Sequence, residues 1–182
     1  MNKLQRKNLD TSLSTIKENI LDIAGIRITC AFASDIYTVS EMIARQKDVE
    51  VIEVKDYVKN PKPNGYRSLH LIVTVPVFLS DREEIVPVEL QIRTIAMDFW
   101  ASLEHKIYYK YDKAIPERLS QELMEAAESA AALDQKMENI HKEIKVIKED
   151  ALEASDDDVL LNRYKDNKNA ITAFLNHFDP EN

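Results

Sequence analysis

The stretches Ser68-Leu69-His70-Leu71-Ile72-Val73-Thr74-Val75-Pro76 and Ile85-Val86-Pro87-Val88-Glu89-Leu90-Gln91-Ile92-Arg93 decide the fold. Both alternate with a period of two, so each predicts a strand whose side chains leave to opposite faces in turn. In the second, Val86, Val88, Leu90 and Ile92 share one face, while Pro87, Glu89, Gln91 and Arg93 share the other. In the first, Leu69, Leu71, Val73 and Val75 face one way, and Ser68 and His70 the opposite way. The charged turn Asp81-Arg82-Glu83-Glu84 between them predicts a hairpin.

Upstream, Ile26-Arg27-Ile28-Thr29-Cys30-Ala31-Phe32 predicts a further strand, with Arg27 and Thr29 opposed to Ile26, Ile28, Cys30 and Phe32. A helix over 35–47 follows, capped by Ser34 or Asp35 and presenting Ile36, Val39 and Ile43. Another strand is expected over Val49–Asp56. Lys59-Asn60-Pro61-Lys62-Pro63-Asn64-Gly65-Tyr66 predicts a loop, because two prolines and Asn-Gly break any ladder. A helix is expected over Thr94–Tyr109. This mixture predicts an α+β fold, a mixed sheet flanked by helices.

The net charge of −8 is unevenly placed. Residues 1–113 hold 16 Lys+Arg and 16 Asp+Glu, whereas 114–182 hold 8 and 16, so the tail carries all of it. A body, 1–115, and an acidic helical tail, 116–182, are expected to meet near Pro116. Leu119, Leu123, Ala126, Ala130, Leu133, Met137, Ile140, Ile144 and Ile147 follow at alternating spacings of four and three. That 3.5-residue repeat predicts a long helix with a narrow apolar seam. A second helix, 158–176, is expected to begin at Asp156-Asp157-Asp158, acidic as a helix N-terminus favours. The seam must be buried by the body or the last helix, or by a partner subunit. It spans about 40 Å at 1.5 Å per residue. A body with a radius of gyration near 13 Å would not readily cover that length alone.

Composition excludes several classes. The acidic balance argues against a general binder of nucleic acid. No run of about 18 apolar residues predicts a membrane span, and no secretory signal opens the sequence. The single Cys30 permits no internal disulfide, which makes a cytoplasmic setting the default. With only Gly25 and Gly65, neither a dinucleotide fingerprint nor a P-loop can be built. Side chains must therefore hold any nucleotide.

In one sheet, the polar strand faces would cluster Arg27, His70, Glu89, Gln91 and Arg93. Such a face is either a solvated surface or, with carboxylate, imidazole and guanidinium groups interleaved, a site for an anionic substrate with a metal. The loop adds Lys59, Lys62 and Arg67 beside Tyr57 and Tyr66, a combination suited to phosphates and a stacked base. Asp22 stands ahead of the first strand, where a carboxylate is more often a cap than a ligand. Glu104-His105 either borders the cleft or lies on an exposed helix face. His141 and His177 show no metal-ligand spacing.

Taken together, Asp22-Ile23-Ala24-Gly25-Ile26-Arg27, Asp56-Tyr57, Pro61-Lys62-Pro63-Asn64-Gly65-Tyr66-Arg67-Ser68-Leu69-His70 and Val88-Glu89-Leu90-Gln91-Ile92-Arg93-Thr94 resemble the RelA/SpoT alarmone synthetases. Ala96-Met97-Asp98-Phe99-Trp100-Ala101-Ser102-Leu103-Glu104-His105, followed by Tyr109-Lys110-Tyr111, is similar to their small single-domain members. The resemblance implies a nucleotidyltransferase-like mixed sheet. It also implies transfer of pyrophosphate from ATP to the 3′-hydroxyl of GDP or GTP. Asp22 and Glu89 would hold a magnesium ion, Mg2+, and Glu89 would take the hydroxyl proton. Tyr66 would stack on guanine, Lys62, Asn64 and His70 would contact the acceptor nucleotide, and Arg27 would stack on adenine. Gln91 and Arg93 would support the site. A homo-oligomer, with a tetramer favoured, is a further implication.

One departure stands out. The family carries an upstream G-R-x-K-x-x-x-S-I segment that grips the ATP phosphates. Here only Lys3-Leu4-Gln5-Arg6-Lys7 resembles its end, so Lys3 would supply part of that charge. The expectation is therefore a synthetase with an incomplete N-terminus, or else a non-catalytic guanine-nucleotide binding module. No hydrolase His-Asp motif is present, and alarmone degradation is not expected.

Overall fold

A computed structural model describes residues 4, 8, 10, 12–109 and 116–177, with side chains through Ile107, from Pro116 to Asp150, and at Lys168. In chain order these form α1 (Leu13–Asn19), β1 (Ala24–Cys30), α2 (Ala33–Ala44), β2 (Glu50–Asp56), β3 (Leu69–Phe78), β4 (Glu83–Thr94), α3 (Ile95–Tyr109) and α4 (Glu117–His177). The chain divides into two compact units, residues 1–138 and 139–182.

The sheet is mixed, in the order β1-β4-β3-β2. β1 runs parallel to β4, while β4 with β3 and β3 with β2 are antiparallel. The predicted parity holds at its centre. Leu69, Leu71, Val73, Val88, Leu90 and Ile92 are buried together, joined by Cys30, Ile36 of α2 and Met97 of α3. Edge positions depart from it. Ile26, expected to be buried, is 54% exposed, because β1 has a neighbour on one side only and its core contacts fall to Ala24, Ile28 and Cys30. The hairpin is longer than expected, pairing as far as Phe78 with Glu83. At α2, neither Ser34 nor Asp35 is the N-cap: Phe32 occupies that position, and the Asp35 carboxylate accepts from its N–H at 3.1 Å.

The tail differs from expectation in two ways. α4 runs unbroken from Glu117 to His177, with no turn between 147 and 158, so the acidic run lies inside a helix rather than starting one. Within the first unit, its covered stripe is rotated away from the 3.5-residue seam. Leu123, Ala127, Ala130, Ala131, Asp134 and Glu138 are buried or half-buried, whereas Leu119, Leu133 and Met137 are exposed. Small side chains decide this. Trp100 of α3 packs with Ala101 and Ala127, and its Nε1–H donates to the Leu123 carbonyl at 3.0 Å.

Asp134 ties α4 to the sheet. It accepts a hydrogen bond from the hydroxyl of Thr94, a fully buried residue whose Oγ1 also accepts from Met97 N–H at 3.1 Å at the start of α3. Burial pushes the Asp134 carboxyl above its ordinary value, with Glu138 one turn on adding to the rise and the Thr94 bond opposing it. The folded state then holds this proton more tightly than the unfolded chain does. Stability contributed at this position therefore falls as pH rises from the ordinary 3.8 through the raised value. Asp134→Asn is expected to remove that slope at a cost below about 2 kcal/mol. Thermal melts between about pH 4 and pH 7 check it, and parallel profiles for parent and variant would contradict it.

Among the described residues, no helix is long and apolar enough to cross a membrane.

Candidate active site

Register places the polar residues side by side. Gly25 lies level with Glu89, Arg27 with Gln91 and Thr29 with Arg93 across the parallel pair. His70 lies level with Gln91 across the antiparallel pair, and Lys55 of β2 is level with His70. Five of the expected site residues join in one hydrogen-bonded network. His70 Nδ1 is 2.9 Å from Glu89 Oε1, and Gln91 Nε2 donates to Glu89 Oε2 at 2.8 Å. Arg93 donates from Nη2 to Gln91 Oε1 at 2.7 Å and to the Tyr66 hydroxyl at 2.6 Å. That hydroxyl is 2.8 Å from His70 Nε2.

Proton positions follow from this pattern. An ionised carboxylate only accepts, so the hydrogen sits on His70 Nδ1 and points at Glu89. Nε2 then accepts from the Tyr66 hydroxyl, which in turn accepts from Arg93. Burial holds the His70 pKa below the usual imidazole value, against the upward pull of Glu89. A neutral imidazole fits that chain of donors.

The loop is a built platform. Gly65 N–H bonds to the Lys62 carbonyl at 2.8 Å and Lys62 N–H to the Tyr66 carbonyl at 3.1 Å. This turn takes Pro63 at its second position and ends on Gly65, whose φ of +85° suits glycine. A β-carbon at Gly65 would stand 2.5 Å from the Ala127 β-carbon, so α4 presses directly on the turn. Asn64 accepts from Tyr66 N–H at 3.2 Å and donates to Glu104 at 3.1 Å. Glu104 thus borders the loop, whereas His105 is exposed. Tyr57, Tyr66 and His70 meet edge to face, with Tyr57 5.3 Å from His70 and 6.1 Å from Tyr66. The Lys62 ammonium lies 4.6 Å from the Tyr57 ring centre and 4.8 Å from that of Tyr66.

Not every expected cation serves the platform. Arg67 donates to the Val58 carbonyl at 2.9 Å and bolts the loop to itself. Lys59 pairs with Asp56 at 3.6 Å and covers the Tyr37 ring. Asp56 also accepts from the Val58 and Lys59 N–H groups and from Tyr37, whose hydroxyl is pushed up to about 12 by burial and by that carboxylate. Lys62 is left as the exposed ammonium facing the aromatic pair.

Asp22 lies exposed in the turn ahead of β1. Among the described residues, no three His, Cys, Asp or Glu side chains gather as a metal cluster. The donor type still suits Mg2+, which takes one or two carboxylates and fills its octahedron with water and substrate phosphate. Lys3 lies outside the described residues, as do Lys110 and Tyr111. The sequence reading missed Asp98, whose Oδ1 is 3.1 Å from Arg93 Nη1 and 3.3 Å from Arg27 Nε. Asking what neutralises the buried Arg93 would have found it, five residues on.

Residues 1–114 match the region found in RelA / SpoT proteins. The chain is 56% identical over 144 residues to the GTP pyrophosphokinase YwaC of Bacillus subtilis, covering 79% of this chain and 69% of that one. In the solved small alarmone synthetase 1 of Bacillus subtilis bound to its product pppGpp, 44% of residues are identical at a TM-score of 0.73, with 78% of this chain and 72% of that one covered. The same synthetase bound to AMPCPP gives 40% identity and a TM-score of 0.65, over 79% and 70% of the two chains. The family match and the likeness of fold agree, and the chain belongs to the RelA/SpoT family.

Proposed function

We propose that this chain is a (p)ppGpp synthetase, moving the β,γ-pyrophosphate of ATP to the 3′-hydroxyl of GDP or GTP in stringent-response signalling in the cytoplasm. The observation that carries the reading is the Glu89 network. A half-buried carboxylate is aimed by His70 and Gln91 beside an aromatic platform with its own cation.

Glu89 accepts the proton of the 3′-hydroxyl as the oxygen attacks the β-phosphorus. The bond from that phosphorus to the α,β-bridging oxygen breaks, and AMP leaves. Tyr66 stacks on guanine. Lys62 swings from the rings to the acceptor phosphates as the base enters, while Asn64 and His70 border that nucleotide. Arg27 covers adenine, Gln91 and Arg93 hold the network, and Lys3 adds charge toward the ATP phosphates. Asp22 and Glu89 would hold Mg2+, which would supply the charge neutralisation that pyrophosphate transfer needs. The rest is positioning.

Incubation with ATP, GDP and Mg2+ is expected to yield AMP and a more acidic guanine nucleotide. GDP binding without AMP formation would leave only a guanine-nucleotide binding module.

Self-association belongs to the same reading, with a tetramer as the assembly. Within the first unit, Leu133 and Met137 of α4 line an open apolar groove of about 630 Å³ with Phe32, Ile95 and Phe99. A second copy is the occupant that the unburied seam favours. Light scattering should give a mass near four times 21.0 kDa, reduced by Leu133→Lys. A mass of a single chain for the parent would refute it.

A further inference from the structure

Asp98 stands where two parts of the site meet. It occupies the first turn of α3, where the helix start favours a carboxylate. Thr94 fixes that start by accepting from Met97 N–H and donating to Asp134 of α4. The position of Asp98 is therefore set by the scaffold rather than by its own mobility.

Its Oδ1 is shared by two guanidinium groups, Arg93 Nη1 at 3.1 Å and Arg27 Nε at 3.3 Å. The two arginines differ. The Arg93 side chain is 5% exposed and is also held by Tyr66, Gln91 and Ser68. The Arg27 side chain is 51% exposed on an edge strand. A long side chain that open would sample many rotamers, and Arg93 beside it would repel it. One shared carboxylate cancels the repulsion and anchors the loose arginine to the fixed one.

We propose that Asp98 is a positioning residue for the donor nucleotide, holding the Arg27 guanidinium over the polar face in the orientation on which adenine stacks. This rests on the assignment of Arg27 to adenine made above. Through Arg93 and Tyr66, the same carboxylate links the donor side to the guanine platform, but its hold on Arg27 is the weaker and more exposed contact. Loss of Asp98 should therefore fall first on ATP.

The test compares Asp98→Asn, Asp98→Glu, Arg27→Ala and the Asp98→Asn/Arg27→Ala double variant by calorimetry with AMPCPP and with GDP, and by steady-state kinetics. Asp98→Asn is expected to weaken AMPCPP binding and raise KM for ATP about tenfold, the scale of one lost charge-assisted contact. GDP affinity should stay within about twofold and kcat within about threefold of the parent. Arg27→Ala should give the same loss, the double variant no more than either, and Asp98→Glu a partial return. Independent, additive losses in the double variant would overturn the proposal. So would equal losses of GDP and AMPCPP affinity with a lowered melting temperature, which would mark Asp98 as merely structural. If Arg27→Ala leaves AMPCPP binding unchanged, the adenine assignment falls and the proposal with it. If Arg27→Ala weakens binding but Asp98→Asn does not, the proposal alone falls.

Discussion

Replacing Glu89 with glutamine is expected to lower kcat by about a thousandfold while the fold survives, the middle of the range for a positioned general base. Two losses coincide. The amide is no longer basic enough to take the 3′-hydroxyl proton, and it brings no negative charge to a divalent cation. The surrounding network aggravates the change. Glu89 accepts at both oxygens, from His70 Nδ1 and from Gln91 Nε2, and an amide can accept at only one. Relief requires Gln91 to turn over, which sets its NH2 against Arg93 Nη2, or His70 to shift its proton to Nε2, which faces the Tyr66 hydroxyl. Both routes pass the mismatch along the chain. Since Glu89 is partly open to solvent, the stability cost should remain below about 2 kcal/mol. Single-turnover formation of AMP measures the chemical step. A rate within tenfold of the parent would mean that another group takes the proton.

Tyr66 carries the second large effect, and its ring and hydroxyl should separate. Tyr66→Ala is expected to weaken guanine-nucleotide binding by about 1–3 kcal/mol, the worth of one base–aromatic stack. It also removes the surface that partly covers Trp100, Ala101 and Ala127. Tyr66→Phe keeps the π-face, so GDP affinity should fall by less than about threefold, below the worth of one neutral hydrogen bond. The hydroxyl nevertheless bridges Arg93 and His70, and without it His70 Nε2 loses its donor and the ring is held through Glu89 alone. The phenylalanine variant should therefore lose kcat more than affinity. Calorimetry with GDP beside steady-state kinetics distinguishes the two parts. Equal damage to GDP binding by both substitutions would show that the stack is not what holds the base.

The polar face was legible because a strand offers only two sides. Once Leu69, Leu71, Leu90 and Ile92 go inward, His70, Glu89, Gln91 and Arg93 must share the other side. Partners that come from other elements were harder to foresee. Nothing in the loop sequence says that Arg67 will spend its guanidinium on the Val58 carbonyl, because a backbone acceptor leaves no trace in residue type. Asp98 looks from sequence like an ordinary first-turn acid, and only the meeting of β1 with β4 shows it two arginines. The tail misled for a different reason. A 3.5-residue repeat reveals where large apolar side chains lie, yet the stripe that packs on the sheet unit was selected for smallness at Ala127 and for a hydrogen bond at Asp134. The acidic run at 156–158 resembles a start signal, yet the helix passes through it without a break.

The contact between Gly65 and Ala127 bears on how this protein can be dissected. Gly65 cannot gain a carbon without displacing Ala127, since a β-carbon on the glycine would stand 2.5 Å from that of the alanine. The turn that presents Tyr66 thus has α4 as its back wall. A deletion beginning at Pro116 looks from composition like the trimming of an acidic appendage. It would strip that wall, the Trp100 acceptor on Leu123 and the Thr94 partner Asp134 in one cut. A minimal fragment should instead end after Glu138, where the first compact unit closes. Any exchange of this helix between relatives has to carry its loop along as one inherited block.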